Sequence, residues 1–409
     1  MKRIAALICA FFVMFSTSVS AVYTCNDVYN SLGKVLTWSE DNIKPMDSVN
    51  TVASDYYVMA LKRSGNVFEY IKYADASLLN QPNSIQDGQR SIMASVAAEK
   101  KQSDELVAKY TYNRELKTAA DIADAITVIT SGEYEIKSSK TDITRMVVTL
   151  LEKQDIDGGF DGNISSTAKS IMALSFFKGN CYIVKGENMG EKYRYDVNSA
   201  ILRGVNYLQN KKNDDFGYGN VKDTSFVIMA LDCAGIDADN DPGFSDDGKS
   251  TLQWLISHQS ENGSFSNDLD LSAISACALV SHIRAMQGNS PFFALLTEDM
   301  PLNPNEYDGD INYSGKGLEI ATQTEIEVLQ KTAEPTEETA PTPYAVTPVE
   351  AIDRDIHIAQ DKHSKILPIL VIILSIIVIV AAATWFVLYM LNIRPIKKYH
   401  LKETKDEDG

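Results

Sequence analysis

The feature that most constrains this chain is a segment that recurs three times between residues 150 and 285. Each copy places a glutamine a few residues before a glycine and an aromatic residue, and a run of small and apolar residues follows. The glutamines are Gln154, Gln209 and Gln259, which are 55 and 50 residues apart. Recurrence at such a period is typical of folds in which each repeat buries its apolar face against its neighbours. The glycine and aromatic residues are Gly158 with Phe160, Gly217 with Tyr218, and Gly263 with Phe265.

Two kinds of helix are predicted to alternate in these repeats. The helix before the glutamine is apolar on one side, as Ile143, Met146, Val147 and Leu150 show by their helical spacing. The helix after the glycine is apolar nearly all round, as in 226–231, so it must be covered on most sides. Ser, Thr or Asp stands at its start, as at a helix N-terminus. The sequence therefore predicts two concentric layers, with the apolar helices inside.

Weaker copies extend the pattern to about six helix pairs. Further inner helices are predicted at 55–61, 122–128 and 318–323. Six pairs are enough to close a ring, so the predicted fold of residues 22–330 is all-α, an α/α toroid. The outer helices are predicted to begin near Val28, Gly88, Asp142, Val197, Lys249 and Pro291.

The spacing Gln-x-x-x-Gly-x-aromatic in 154–160 and 259–265 resembles the glutamine–tryptophan repeat motif of squalene and terpene cyclases. It is also similar to the glycine turns of protein prenyltransferase β-subunits and of cobalamin carriers of the intrinsic-factor type. Phenylalanine stands where the cyclases usually have tryptophan. The resemblance covers most of 25–330 and implies an α/α toroid, the fold that these families share.

An enzyme of this kind would need a site that the residues match only in part. Class II cyclases protonate an alkene with an Asp-x-Asp-Asp motif, and here Asp268 and Asp270 match its first two aspartates while Leu271 replaces the last. In a cyclase, Asp270 would donate the proton and Asp268 would be its neighbour, because paired carboxylates can raise one pKa. The alternative is that Asp270 caps a helix, as Asp223 is predicted to do.

A metal site of the prenyltransferase kind is not predicted. Such a site needs Asp, Cys and His around one zinc ion, but Asp232 and Cys233 are adjacent, and Cys277 and His282 lie five apart. We therefore predict no metal and no cofactor. A cobalamin carrier pairs its toroid with a β-rich domain, whereas the chain after Gln330 is predicted to be linker and membrane segment.

The favoured function is binding without catalysis, at one mouth of the ring where inner helices begin. Side chains on loops and helix ends commonly build ligand sites on a rigid scaffold. The alternatives are a cyclase-like or prenyltransferase-like enzyme with an incomplete acid motif, a cobalamin-carrier-like binder, and an adhesin-like module with no small ligand. The predicted ligand contacts are Asp157, Phe160, Ser166, Tyr218, Asp223 and Phe265.

The two ends of the chain predict its location. Residues 1–21 have a basic start, an apolar run and a small-residue cleavage site, as in a secretory signal peptide. Residues 366–393 carry no charge and are long enough to cross a bilayer, and the tail 394–409 begins with basic residues. The Pro-, Thr- and Glu-rich segment 331–365 is predicted to be a disordered stalk. We expect a single-pass protein of the cell membrane, with the toroid outside and the tail in the cytoplasm.

The net charge of the chain indicates which classes of partner it can bind. Residues 22–393 carry 31 Lys and Arg against 51 Asp and Glu, a surface that repels nucleic acid. The expected partners are the membrane and an unidentified extracellular ligand or protein.

The four cysteines outside the signal peptide allow three disulfide pairings, and buried free thiols are the alternative. They are Cys25, Cys181, Cys233 and Cys277.

Overall fold

The structure is a computed structural model that describes residues 25–66, 68–79, 82, 84–185, 192–297 and 324–328. Helices dominate this part of the chain. Twelve helices lie in these residues. The predicted signal peptide, stalk, membrane segment and tail lie outside the described residues. The helices are α1 Cys25–Asn42, α2 Val52–Arg63, α3 Tyr70–Leu79, α4 Ile85–Ala97, α5 Asp104–Tyr110, α6 Ala119–Ser131, α7 Ile143–Glu152, α8 Ile164–Ser175, α9 Val197–Lys211, α10 Val221–Ala234, α11 Thr251–Ser257 and α12 Leu269–Met286.

Six of the helices pack in a closed cycle. Helix α2 packs against α4, α4 against α6, α6 against α8, α8 against α10, α10 against α12, and α12 packs back against α2. Burial on nearly every side explains why these helices lack a broad polar face. Among the described residues, α12 is also long and apolar enough to cross a membrane, but most of it is buried inside the fold, as in a core helix.

The other six helices each pack against this cycle. Helix α1 packs on α12, α7 on α6, α9 on α8 and α11 on α10, while α3 contacts α4, and α5 contacts α4 and α6. In α7, Met146, Val147 and Leu150 are buried whereas Thr149 and Glu152 are exposed, which is the predicted one-sided pattern. The predicted alternation of buried and one-sided helices is therefore present along the described chain.

Two of the predicted outer helices are wrong. The helix near Gly88 is α4, which belongs to the buried cycle because the ring of Tyr110 covers its outer side. A Cβ at Gly88 would lie 2.1 Å from that ring, so the glycine allows this close cover. The segment after Pro291 forms turns up to residue 297 and no helix. Its predicted inner partner at 318–323 lies outside the described residues.

The prediction of an all-α chain is corrected by short strands in the described residues. They are β1 Asn180–Lys185, β2 Lys192–Asp196, β3 Ser245–Asp246, β4 Lys249–Ser250 and β5 Thr324–Val328. Strand β1 pairs antiparallel with β2, Cys181 opposite Asp196, and parallel with β5, while β3 and β4 form a hairpin. Tyr182, Ile183 and Val184 favour a strand, a signal that a search for helical spacing does not detect. The fold is mainly helical, with little sheet.

The first Gln–Gly turn joins its own repeat to the next amphipathic helix. Gln154 Nε2 donates to the carbonyl oxygens of Gly158 at 3.0 Å and of Ala200, in α9, at 2.8 Å. Gly158 has a φ of 90°, and an added Cβ would lie 2.3 Å from the carbonyl oxygen of Arg203. Glycine is required here both for the positive φ and for the close approach of α9.

The third turn makes the same contacts with α1, from the other end of the described chain. Gln259 Nε2 donates to the carbonyl oxygens of Gly263 and Ser31, both at 2.9 Å. A Cβ on Gly263, whose φ is 94°, would lie 2.4 Å from the carbonyl oxygen of Lys34. Helix α1 therefore docks on the last repeat as α9 docks on the first.

The alignment of Gln209 with the other two glutamines is wrong. The turn hydrogen bonds of this copy run from Asn213 N to the carbonyl oxygen of Gly217 and from Phe216 N to that of Asn213, each at 2.9 Å. In the other turns the residue after the glutamine makes these bonds. Lys212 therefore takes the place of the glutamine. Phe216, with a φ of 68°, takes the place of the glycine.

The structure decides between disulfide bonds and buried thiols for the described cysteine side chains. Cys181, Cys233 and Cys277 are buried and form no disulfide bond. Burial raises the pKa of Cys233 to about 12 and the pKa of Cys277 well above its usual value, so both stay protonated and unreactive at neutral pH. The side chain of Cys25 lies outside the described part of the chain.

Candidate binding site at the starts of the buried helices

The helices of the cycle all begin at a capping side chain. Each N-cap accepts a hydrogen bond from the backbone N–H three residues later. The predicted caps Asp223 and Asp270 are wrong: Asn220 and Asp268 hold these positions, and the predicted residues lie in the first turn that follows. Ser166 likewise lies in the first turn of α8. The six caps are Thr51, Ser84, Thr118, Asn163, Asn220 and Asp268.

Polar contacts bring neighbouring helix starts to the same end of the cycle. Ser165 Oγ, in α8, donates to the carboxylate of Asp223 in α10. Gln86 Nε2, in α4, donates to the carboxylate of Asp121 in α6. Asp161, just before α8, accepts from the first backbone N–H of α6 at 2.8 Å, a favourable place for a negative charge. We call this end of the cycle, formed by the six caps and the first turn after each, the N-terminal mouth.

A layer of six side chains lies about one and a half turns below the mouth. Each is the fifth or sixth residue of its helix, so the layer occupies one register of the cycle. Charged and aromatic side chains dominate it although its helices are otherwise mostly apolar. We call it the central layer, and its members are Tyr56, Arg90, Asp124, Lys169, Phe226 and Ile274.

Four members of the central layer meet one another. Lys169 Nζ lies 2.6 Å from Asp124 Oδ2 and 5.4 Å from the centroid of the Phe226 ring. The ring of Tyr56 meets that of Phe226 edge to face, with 6.2 Å between centroids. These side chains come from α2, α6, α8 and α10, so an ion pair and two aromatic rings lie between these four helices.

Burial and neighbouring charges determine the protonation states of Lys169 and Tyr56. Burial alone would lower the pKa of Lys169, but the Asp124 carboxylate more than offsets this, and the pKa is raised. Lys169 therefore carries its positive charge at neutral pH. Burial raises the pKa of Tyr56 to about 12, so its hydroxyl stays neutral.

Arg90 belongs to the same layer but is bound within the fold. Its Nε donates to Asp55 Oδ2 at 2.9 Å, its Nη1 to Asp87 Oδ1 at 2.7 Å, and its Nη2 to the carbonyl oxygen of Asn50 at 3.0 Å. The Tyr73 hydroxyl also donates to Asp55, at 2.5 Å. A buried ion pair with this many hydrogen bonds is satisfied, and removing one partner is costly.

The three aromatic residues predicted to contact a ligand are packing residues in this structure. Phe160 and Phe265 are 0% exposed and Tyr218 is 4% exposed. The backbone N–H of each donates to a hydroxyl in the helix that follows, at 2.9–3.1 Å. The Tyr218 hydroxyl donates to the carbonyl oxygen of Leu208 at 3.1 Å. Their rings hold each turn against its helix.

The predicted acidic residues Asp157, Asp268 and Asp270 lie at the surface of the protein. Asp157 is exposed and accepts from the backbone N–H of Gly159 at 3.0 Å, within its own turn. Asp268 and Asp270 are both exposed, and Asp268 is engaged as the cap of α12. A carboxyl group that protonates an alkene acts in an apolar site shielded from water, whereas both aspartates are exposed to solvent.

Sequence reasoning missed the central layer although it carried a signal. Asp124 and Lys169 lie midway along helices that were identified as buried. Charged residues are seldom buried without a partner, so two opposite charges at matching depths of neighbouring repeats predict an ion pair. The residues that the sequence predicts as ligand contacts lie instead in turns and at helix starts.

Cavities and metal geometry add no second site in the described residues. No group of three His, Cys, Asp or Glu there has the geometry of a metal site. The described residues line a void of about 10 Å³ among α3, α4 and α5 and an open groove of about 460 Å³ along α5. Neither of these spaces touches the four side chains that meet in the central layer.

No protein-family model matches the chain, and no curated protein matches it. Among solved structures the chain is similar to ent-copalyl diphosphate synthase from Streptomyces platensis, a terpene cyclase, with 14% sequence identity and a TM-score of 0.39. The match covers 56% of this chain and 49% of that one, so the likeness concerns part of a helical fold alone.

Proposed function

We propose that the six buried helices are the inner ring of an α/α toroid and that the amphipathic helices are its outer ring. The packing of α12 back on α2 supports this proposal. So does α1, which docks on the 259–263 turn through Ser31 and Lys34 and serves as the outer helix after the last repeat. In an open solenoid, by contrast, each repeat contacts only its sequence neighbours.

The toroid is proposed to be displayed outside the cell on a single membrane helix. The support is the signal-peptide pattern in 1–21, the uncharged segment 366–393 and the basic tail after it. Protease added to intact cells is expected to cut the stalk, 331–365, and to release the helical region. Cleavage that needs permeabilised cells would contradict this orientation.

The proposed activity is binding of a ligand or partner at the N-terminal mouth, with no cyclase or prenyltransferase reaction. The observation that carries this proposal is the group of four side chains that meet in the central layer. The Asp124–Lys169 ion pair and the rings of Phe226 and Tyr56 occupy the depth at which a cyclase of this fold needs an aromatic-lined chamber. Above them, the half-buried Asp223 and other polar side chains of the mouth can receive a ligand.

Turnover is tested with the full-length chain in detergent, supplied with squalene and with a polyprenyl diphosphate. We expect no product from the wild type. Product formation that Asp270→Asn abolishes would refute the binding proposal in favour of a cyclase.

Binding at the mouth is tested separately by native mass spectrometry of the chain extracted from its own membrane. The test variant is Asp223→Asn, and the matched control is Asp246→Asn, at an exposed position of the β3–β4 hairpin. We expect a bound species that the first variant loses and the second retains. A species that both variants retain would remove the mouth from the proposal.

A further inference from the structure

We infer that Asp124, Phe226 and Tyr56 form a binding site for an organic ammonium group, and that the side chain of Lys169 occupies this site until a ligand displaces it. The inference rests on the proposed function, because it names the class of ligand that the N-terminal mouth receives. The ammonium group of Lys169 therefore lies where the ammonium group of the ligand would bind.

The geometry around Lys169 Nζ is that of an ammonium site. Asp124 Oδ2 lies 2.6 Å away and supplies a charge-assisted hydrogen bond. The Phe226 ring centroid, at 5.4 Å, is within the range in which an aromatic face attracts a cation. Tyr56 meets Phe226 edge to face and adds a second aromatic wall with a neutral hydroxyl. A carboxylate beside aromatic rings selects a cation over a neutral or anionic group.

Lys169 differs from its neighbour Arg90 in ways that allow it to leave. The side chains of Lys169 and Asp124 are 19% and 12% exposed, so this ion pair is not completely covered. The side chains of Arg90 and Asp55 are 9% and 0% exposed, and the guanidinium has three partners. A lysine also has a flexible four-carbon stem, whereas an arginine fork is held by its planar geometry. Displacement of Lys169 therefore breaks one ion pair and one contact with an aromatic ring.

The charge at the mouth favours the approach of a cation. Several acidic residues lie at or beside the helix starts, among them Asp121, Asp161, Asp223 and Asp270. Lys222 is an exposed basic residue in the same region. The positive ends of the helix dipoles also point to the mouth, but carboxylates in the first turns and caps offset them. The whole chain has a formal net charge of −17, which adds long-range attraction for cations.

Lysine labelling tests displacement in the wild-type, full-length chain. Reductive methylation, read by peptide mass spectrometry, is measured with and without tetramethylammonium chloride, a cation that has no reactive amine. We expect the labelling rate of Lys169 to rise several-fold. Lys137 pairs with Asp104 at the same distance, 2.6 Å, but is 61% exposed, so its rate should not change. No rise at Lys169, or an equal rise in sodium chloride, would overturn the inference.

Chemical rescue tests the site without its lysine. Lys169→Ala leaves the Asp124 carboxylate unpaired beside a space that n-butylammonium fills, and this amine should raise the melting temperature saturably, by about 2–4 °C. Lys169→Met fills the space, and Lys169→Ala with Asp124→Asn removes the charge, so neither should respond. An equal shift in either control would overturn the inference. If Lys169→Ala folds only with the amine present, the site is supported; if it never folds, the wild-type labelling decides.

Two further arms separate the sources of the ammonium group and the two proposals. A peptide that carries trimethyllysine is compared with tetramethylammonium in the labelling experiment. Displacement at a lower peptide concentration indicates a protein partner, and equal potency indicates a small amine. Product formation from a polyprenyl diphosphate would refute the proposed function, whereas an unresponsive Lys169 would refute the ammonium site alone.

Discussion

Replacement of Gly263 by alanine should open the join between α1 and the last repeat. The new Cβ would lie 2.4 Å from the carbonyl oxygen of Lys34, and a φ of 94° is unfavourable for any residue with a side chain. The backbone strain alone costs about 1–2 kcal/mol. The clash also separates Gln259 from Ser31, with loss of hydrogen bonds worth about 0.5–1.5 kcal/mol each. We therefore expect a loss of about 2–5 kcal/mol in the free energy of unfolding.

Gly162 provides the matched control for this prediction. Its φ is also positive, at 59°, but nothing lies within 4 Å of an added Cβ, so Gly162→Ala should cost only about 1 kcal/mol, from strain. Urea unfolding of the full-length chain, followed by circular dichroism, measures both variants. Equal losses for Gly263→Ala and Gly162→Ala would show that α1 does not press on the turn and would refute the reasoning.

Two other predictions follow from caps and burial. Asp268→Ala should lose about 1 kcal/mol because it removes the cap of α12, whereas Asp270→Ala should stay within about 0.5 kcal/mol in urea titrations; the reverse order would restore Asp270 as the cap. Burial lowers the pKa of His282, but the carboxylates of Asp232, Asp237 and Asp239 outweigh burial and raise it above 6.5. Stability from this shift is complete below pH 6.5 and is lost as the pH rises through the folded-state pKa, so the unfolding free energy should fall with pH in the wild type but not in His282→Gln. A wild type and variant with the same pH profile would contradict this.

Local patterns in the sequence predicted most of the helical architecture. The spacing of Met146, Val147 and Leu150 identified α7 as one-sided, and the apolar run 226–231 identified α10 as buried, because periodicity reports the number of covered faces. The helix that contains Gly88 is predicted wrongly as an outer helix, because the ring of Tyr110 covers its outer side. Periodicity within one helix does not describe such a contact between helices. Phe216 hid the second turn, because a residue with a side chain stands where the other turns have glycine.

The candidate site depended more on contacts between repeats. The prediction placed the ligand contacts in the turns, but Phe160 and Phe265 are fully buried there and pack each turn against its helix. The ion pair between Asp124 and Lys169 joins residues that are 45 positions apart, and its partners become visible only when repeats are aligned at one register. The join of Gln259 to Ser31 spans 228 positions and follows from the closed packing of the helices, which no single repeat contains.

The proposed closed ring is tested most directly by dipolar broadening between spin labels at positions 34 and 262, in α1 and in the last turn, in a Cys25→Ser background. The equivalent pair, 203 and 157, joins α9 to the first turn and serves as the reference, since Gly158 meets Arg203 as Gly263 meets Lys34. We predict the same strong broadening for both pairs. Broadening at 203 and 157 without broadening at 34 and 262 would show an open array of repeats and would contradict the toroid.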